Sequence, residues 1–428
     1  MAAFRRATRV RSSIRARMLV ALVPLIACGE PFLPQTPDPQ QTLEGPLDGL
    51  SASQAAAHAR GDGEFARSFT AATGLGPIFV ATSCASCHVG DGKGHPVFDI
   101  TRFGRRTATG FDPLESLGGP QLQSRAIQGH VGETVPTAAN AVARFMAPAV
   151  SGLGLLEAVD DETILALADP EDRNGDGISG RASFVDSTDL IARFTSLQAL
   201  VAGDPRTRHV VRNGQYLGRF GRKARAINLL HQTAFAYSQD MGITSSFVPR
   251  DVPNLQVGAE ASDGAADPEV SSSVVDAVVF YLRTLRAPPR RGATAGDVLA
   301  GESAFRDIGC ARCHVPAMTT GVSEIAALSR VELHPFSDLL LHDMGPELDD
   351  GYTEGDALSS EWRTTPLWGI GLAERSQGGT PFYLHDGRAR TLRDAIRFHG
   401  GEGARSRSAF DALPRAQQEQ VLAYLRSL

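Results

Sequence analysis

Few stretches of this chain carry a regular alternation of hydrophobic and polar residues, and the clearest of them are helical. Leu413 to Leu428 (LPRAQQEQVLAYLRSL) places Val421, Leu422, Leu425 and Leu428 on one helical face. Ser271 to Leu285 (SSSVVDAVVFYLRTL) predicts a second helix, and its ending FYLRTL is similar to the AYLRSL that ends the chain. Shorter helices are expected over Gly63–Phe69, Gly296–Phe305 and Thr391–His399, the last followed by Gly400-Gly401 as a C-cap. Strand signals are few, and 44 Gly and 25 Pro favour long irregular connections. The expected fold class is therefore mainly α, with long loops.

The two similar helix endings suggest an internal duplication, and Ala287-Pro288-Pro289-Arg290-Arg291-Gly292 falls between the copies as the boundary. Residues 46–288 and 292–428 are the two expected domains, the first enlarged by insertions. Residues 29–45 carry four Pro and no helical period, and read as an extended tether.

The N-terminus reads as a targeting segment. Six Arg lie between Arg5 and Arg17, and the apolar run Leu19 to Ala27 is too short to span a bilayer. Leu25-Ile26-Ala27-Cys28-Gly29 has the form of a bacterial lipobox, with Cys28 as the lipidated first residue after a signal peptide of residues 1–28. A cleaved signal with an incidental Cys, or an uncleaved anchor, is the alternative. The expected location is the bacterial cell envelope, as a periplasm-facing lipoprotein anchored in the outer membrane. A formal net charge of -6 argues against a nucleic-acid partner.

The chemistry is concentrated in the cysteines. Of five, four lie in Cys84-Ala85-Ser86-Cys87-His88 and Cys310-Ala311-Arg312-Cys313-His314. Each segment reads C-x-x-C-H, the attachment pattern of c-type haem. Two thiols one helical turn apart can each add to one vinyl group of the same porphyrin. The adjoining His88 or His314 then serves as proximal iron ligand. Two C-x-x-C redox pairs, or a structural metal, are the competing readings. No Cys other than Cys28 is left to complete a cysteine-rich zinc site.

Other constellations are weaker. Asp172-Arg173-Asn174-Gly175-Asp176-Gly177 has the D-x-N-x-D-G form of half a calcium loop, with Asp172, Asn174 and Asp176 as oxygen ligands. Ser183 stands where the closing Glu would be, so an Asx-rich turn without metal is the alternative. Met241, His95 and His130 are candidates for the distal position of the first haem. Trp362 and Trp368, the only tryptophans, are either core residues or aromatic relays. There is no G-x-S-x-G and no H-E-x-x-H.

The segment after the second motif carries a family resemblance. It runs Arg363-Thr364-Thr365-Pro366-Leu367-Trp368-Gly369, then Phe382 to Gly387 (FYLHDG), Thr391 to Ile396 (TLRDAI) and His399-Gly400. This is similar to the C-terminal haem domain of bacterial di-haem cytochrome c peroxidases, in which a Met at the position of His399 binds the second iron. The resemblance implies that His399 is the distal ligand of a bis-His second haem. A closer similarity is to the di-haem oxidoreductase family of peroxidase-like and thiol-oxidoreductase-like proteins. It runs over roughly residues 60 to 428, through Gly118 to Gln123 (GGPQLQ), Gly152 to Glu157 (GLGLLE), Arg219-Phe220-Gly221 and Asp240 to Ser245 (DMGITS). Relatives commonly carry Trp after Arg-Phe-Gly, whereas this chain has Arg222.

The resemblance implies two cytochrome c-like haem domains and two covalently bound haem c groups. The C-terminal haem would relay electrons from a periplasmic donor. The N-terminal haem would reduce a small oxidant such as hydrogen peroxide. A non-catalytic electron carrier, or a redox enzyme acting on thiols or iron, is the alternative.

Overall fold

The computed structural model describes residues 43–186, 210–258 and 262–428. The lipobox, Cys28 and most of the tether lie outside the described residues. The described residues belong to one compact unit.

Its frame is a helix pair built twice. Helix α1 (Ala52–Ala66) crosses α6 (Ser272–Thr284), and α7 (Gly296–Asp307) crosses α11 (Arg415–Ser427). Both crossings depend on a glycine. A Cβ on Gly61 would lie 2.1 Å from the Ala277 carbonyl oxygen, and one on Gly301 would lie 1.9 Å from that of Gln420. Only hydrogen fits between backbones this close. Four residues beyond each glycine stands Phe65 or Phe305, and four beyond each facing carbonyl stands Tyr281 or Tyr424. The ring pairs sit alike, with centroids 5.4 Å apart for Phe65–Tyr281 and 5.3 Å for Phe305–Tyr424. The duplication suggested by the similar helix endings is thus matched by the same packing motif at four positions.

The first expected helix is much longer than its hydrophobic signal. It starts at Ala52, where Ser51 and Gln54 form a capping box, and ends at Ala66 rather than running from Gly63 to Phe69. Its Ala- and Gly-rich body buries only His58, Gly61 and Phe65, so little apolar periodicity was there to read. Helix α9 (Leu392–Arg397) is capped by Thr391, whose hydroxyl accepts from the Asp394 N–H, and it stops two residues short of His399.

Between α1 and α6 the chain adds the short helices α2 (Cys84–Cys87), α3 (Leu153–Glu157) and α4 (Asp161–Leu167) and the longer α5 (Leu229–Met241). In the C-terminal part, α8 (Ala373–Ser376) and α10 (Ala404–Ala412) complete the α-helices among the described residues. The strands are more numerous than the sequence signals suggested, so the chain is helical with small sheets rather than mainly α with loops alone. Gly110–Asp112, Ile100–Thr107 and Ala141–Phe145 form an antiparallel three-stranded sheet, and Ser183–Asp186, Gln215–Gly218 and Val211–Arg212 form another. Ala141–Phe145 alternates cleanly: Ala141, Ala143 and Phe145 are buried while Val142 and Arg144 face out. Five residues of alternation make a strand too short to stand out in a Gly- and Pro-rich region.

These additions join the two halves. Phe145 and Ala143 pack with Leu348, Tyr352 and Trp362 in a core shared by N-terminal and C-terminal segments. Arg181 bridges to Leu341, the first residue of a strand (Leu341–Asp343) paired with Glu361–Arg363. Residues far apart in sequence therefore meet between the two helix pairs.

Candidate functional site: two histidine-bearing cavities

The first C-x-x-C-H folds as a single helical turn. Ser83 caps it through the Ser86 N–H at 3.1 Å, and the His88 N–H donates to the Cys84 carbonyl at 3.0 Å. Cys84, Cys87 and His88 thereby line one cavity of about 480 Å³. The second motif makes a tighter turn, Cys310–Arg312, entered through Gly309 at φ 90°, and the His314 N–H donates to Cys310 at 3.0 Å. Cys310, Cys313 and His314 line a smaller cavity of about 210 Å³.

Both histidines are held for the same use. His88 Nδ1 lies 2.8 Å from the Pro148 carbonyl oxygen, and His314 Nδ1 lies 2.9 Å from that of Phe336. A carbonyl only accepts, so each Nδ1 carries the proton and each Nε2 keeps a lone pair for a metal. Burial pushes both imidazoles down to about 4, so they are neutral at pH 7. Phe65 and Phe305 flank them equivalently, with centroids 6.0 and 6.2 Å away.

The thiols do not look like redox nucleophiles. Burial pushes Cys84, Cys87 and Cys310 up to about 12 and raises Cys313 as well. A C-x-x-C oxidoreductase needs the opposite shift. None of the four is in a disulfide.

Inside the second cavity His399 faces His314. Their ring centroids are 6.4 Å apart, and His399 Nδ1 donates to the Ala395 carbonyl at 2.8 Å, leaving its Nε2 free. Two metal–imidazole bonds of about 2 Å, plus roughly 1 Å from each ring centre to its nitrogen, call for about 6 Å. The gap fits one iron between the rings. Met344 also lines this cavity. His342 lines it too but has no lone pair to offer. Its Nε2 is 2.8 Å from Asp338 and its Nδ1 is 2.7 Å from Glu402. Although burial opposes the charge, Asp338, the Cys313 sulfur and Glu402 raise the imidazolium to about 12.

The first cavity lacks such a partner ring. Met241, named from sequence, lines it, as does Met146, while His95 and His130 do not. His231 lines it, but its Nδ1 accepts the Ile227 N–H at 3.3 Å, so the proton sits on Nε2 and the ring donates rather than ligates. Burial holds it neutral, down to about 3. Arg102, ion-paired with Glu354 at 3.6 Å, and Tyr352 complete a polar group at this cavity, and Arg102 Nε has no hydrogen-bond partner among the described residues. Sequence reading missed Arg102, His231, Tyr352 and Glu354. They come from three separate segments, around 102, 231 and 352–354, and no local spacing links those segments.

Arg222, Arg363 and Thr365 line both cavities. Trp368 lines only the first and Trp362 only the second, where Trp362 stacks on His385 with centroids 3.7 Å apart. In the Asp169–Ile178 loop the carboxylates accept backbone N–H groups: Asp172 from Asp176 and Gly177, and Asp176 from Ile178. Asp176 also pairs with Arg312 at 3.2 Å, tying this loop to the second C-x-x-C-H turn.

Two cavities, each with a pair of thiols and a neutral metal-ready histidine, suit a protein that holds two haems. The chain belongs to the family described as di-haem oxidoreductase, putative peroxidase, whose model matches residues 35–108 and 137–428. No curated protein matches. Among solved structures, it is similar to the hydrazine synthase of Kuenenia stuttgartiensis pressurized with xenon, at 15% identity, covering 99% of this chain and 100% of that chain with a TM-score of 0.35. It is also similar to a MauG-like protein associated with microbial copper homeostasis, at 16% identity, covering 63% of this chain and 89% of that chain with a TM-score of 0.27. The family implies haem cofactors and an oxidoreductase role.

Proposed function

We propose that Cys84 and Cys87 hold one haem c and Cys310 and Cys313 a second, with His88 and His314 as proximal ligands and His399 as the second ligand of the C-terminal iron. The reading treats residues 46–288 and 292–428 as two cytochrome c-like haem domains. It makes the protein a peroxidase-like enzyme in which the C-terminal haem relays electrons to a reactive N-terminal haem. The observation that carries it is the asymmetry of the two cavities. His314 and His399 stand 6.4 Å apart and close one site from both sides, whereas the larger cavity offers His88 one metal-ready imidazole.

When bound, haem supplies an iron that can hold an oxidant and pass electrons to it. The protein's part is positioning and proton supply. Arg102, kept charged beside Glu354, and the His231 Nε2–H present donors in the cavity where a peroxide would bind. Reduction of hydrogen peroxide to two waters takes two electrons, from a periplasmic donor, and two protons. Those protons would come from solvent.

A carrier without catalysis is the second reading, because the thioethers of Met241 and Met146 line the first cavity and either could close that iron. Spin state separates the two. High-spin ferric N-terminal haem that binds cyanide supports the enzyme, and two low-spin, ligand-closed haems in every redox state overturn it. Action on thiols or iron has no feature of the cavities in its favour. Calcium at Asp172, Asn174 and Asp176 has only its spacing in support, since the loop already closes through its own N–H groups and Arg312. A periplasm-facing lipoprotein anchored through Cys28 rests on the sequence of residues 1–28.

A further inference from the structure

Among the described residues three arginines are buried: Arg219, Arg222 and Arg363. Arg219 meets Asp161, and the partly buried Arg283 and Arg181 likewise meet Glu157, at 2.6 Å, and Glu361. Arg222 and Arg363 differ. Each is only 7% exposed, and among the described residues neither forms an ion pair with a carboxylate. Burying an unpaired charge costs several kcal/mol, so two such groups side by side need a reason.

Their hydrogen bonds hold them in place without neutralising them. Arg222 Nε and Nη2 donate to the Met146 carbonyl at 3.0 and 2.6 Å. Arg363 Nε donates to the Gly221 carbonyl at 2.9 Å, and Nη1 to that of Thr364 at 3.1 Å. The Arg363 backbone N–H donates to the Arg222 carbonyl at 3.0 Å, which locks the two residues together. Arg222 Nη1 and Arg363 Nη2 remain as donors. Both side chains line both cavities. Burial, with repulsion from Arg363 added for Arg222, pulls them down to about 9 and about 10; the more distant carboxylates Asp99 and Asp386 for Arg222, and Asp338 for Arg363, offset this only in part.

We propose that Arg222 and Arg363 form one anion site shared by the two cavities, and that its ligands are carboxylates carried by the two cofactors, the haem propionates. This rests on the haem reading above. Propionates are the anionic groups that two haems would bring into these cavities, and guanidinium forks match carboxylates in shape and charge. The wall between the cavities is then an electrostatic bridge. Its positive charge favours electron gain at either iron, so it raises both potentials together.

The test uses the full-length, haem-loaded protein. Haem content is measured first, and then the midpoint potential of each haem by optical redox titration, in wild type, Arg222→Gln, Arg222→Lys and Arg363→Gln. Wild type without two haems would sink the cofactor reading itself. With both haems present, Arg222→Gln is expected to lower both midpoints, because a cation that favoured the reduced state is gone, while Arg222→Lys stays near wild type. Arg363→Gln should act in the same direction and covers the case that Arg222→Gln loses its haem. Unchanged potentials, a fall at one haem alone, or an equal fall in Arg222→Lys would overturn the shared site and leave Arg222 a packing residue.

Discussion

A histidine binds iron through a lone pair, so its hydrogen bonds decide its fate more than its distance from a cysteine. His399 spends Nδ1 on the Ala395 carbonyl and keeps Nε2, whereas His342 gives both nitrogens to carboxylates and sits within the same cavity as an imidazolium. Replacing His399 by Ala is expected to turn one low-spin haem high-spin and open it to external ligands, read by absorption and electron paramagnetic resonance. An unaltered spectrum would hand the position to Met344. His342→Gln should leave the spectrum alone and destabilise the fold by about 3 kcal/mol near pH 6, since breaking a buried ion pair strands its partners. The His342 pKa is raised from 6.5 to about 12 on folding, so the favoured form is the protonated one. Its contribution is full below pH 6.5 and fades as pH rises toward 12. The stability gap between wild type and His342→Gln, measured by denaturant titration, should therefore narrow from pH 6 to pH 10. A gap independent of pH would mean that packing, not charge, is what His342 supplies.

At the scale of elements, the two helix crossings answer to Gly61 and Gly301. Gly301→Ala places a methyl against the Gln420 carbonyl, which is backbone and cannot swing away. Overpacking of this kind costs roughly 1–3 kcal/mol. Gly296→Ala, at the open start of the same helix with nothing near its Cβ position, is the control and should be neutral or slightly stabilising. Thermal melts of the two variants decide it, and equal melting temperatures would mean that α7 and α11 slide apart freely. Helix α1 shows the limit of pattern reading at this scale: its cap was written in Ser51 and Gln54, but the body faces the core through a glycine and a phenylalanine that leave almost no hydrophobic stripe. The two C-x-x-C-H turns, by contrast, are encoded entirely within five residues each.

For the molecule as a whole, the prediction concerns dependence of one cavity on the other. Cys84→Ser with Cys87→Ser should halve the covalently held haem, visible on a denaturing gel by haem stain, and abolish reaction with peroxide. His399→Ala should slow steady-state turnover while the N-terminal haem still binds ligand. If the reduced protein reacts with peroxide in a single turnover no faster than a carrier cytochrome does, the peroxidase reading fails. Anchoring is tested separately: Cys28→Ser should shift the protein from the membrane fraction to the soluble periplasm, and an unchanged distribution would make the lipobox match accidental.

The sequence by itself determined the local chemistry. Each C-x-x-C-H turn places its thiols and histidine within five residues, and the repeated helix endings announced two copies of one unit, because spacing along a helix is set by bonds within the chain. What only the tertiary structure decided lies between those copies. That Glu402 joins Asp338 in locking His342, that Arg102, His231, Tyr352 and Glu354 share a cavity with His88, and that Arg222 and Arg363 stand in the wall of both cavities all follow from contacts between segments far apart in the chain. Such contacts arise from packing small sheets and loops between two helix pairs, and no periodicity along the chain records which loop will meet which.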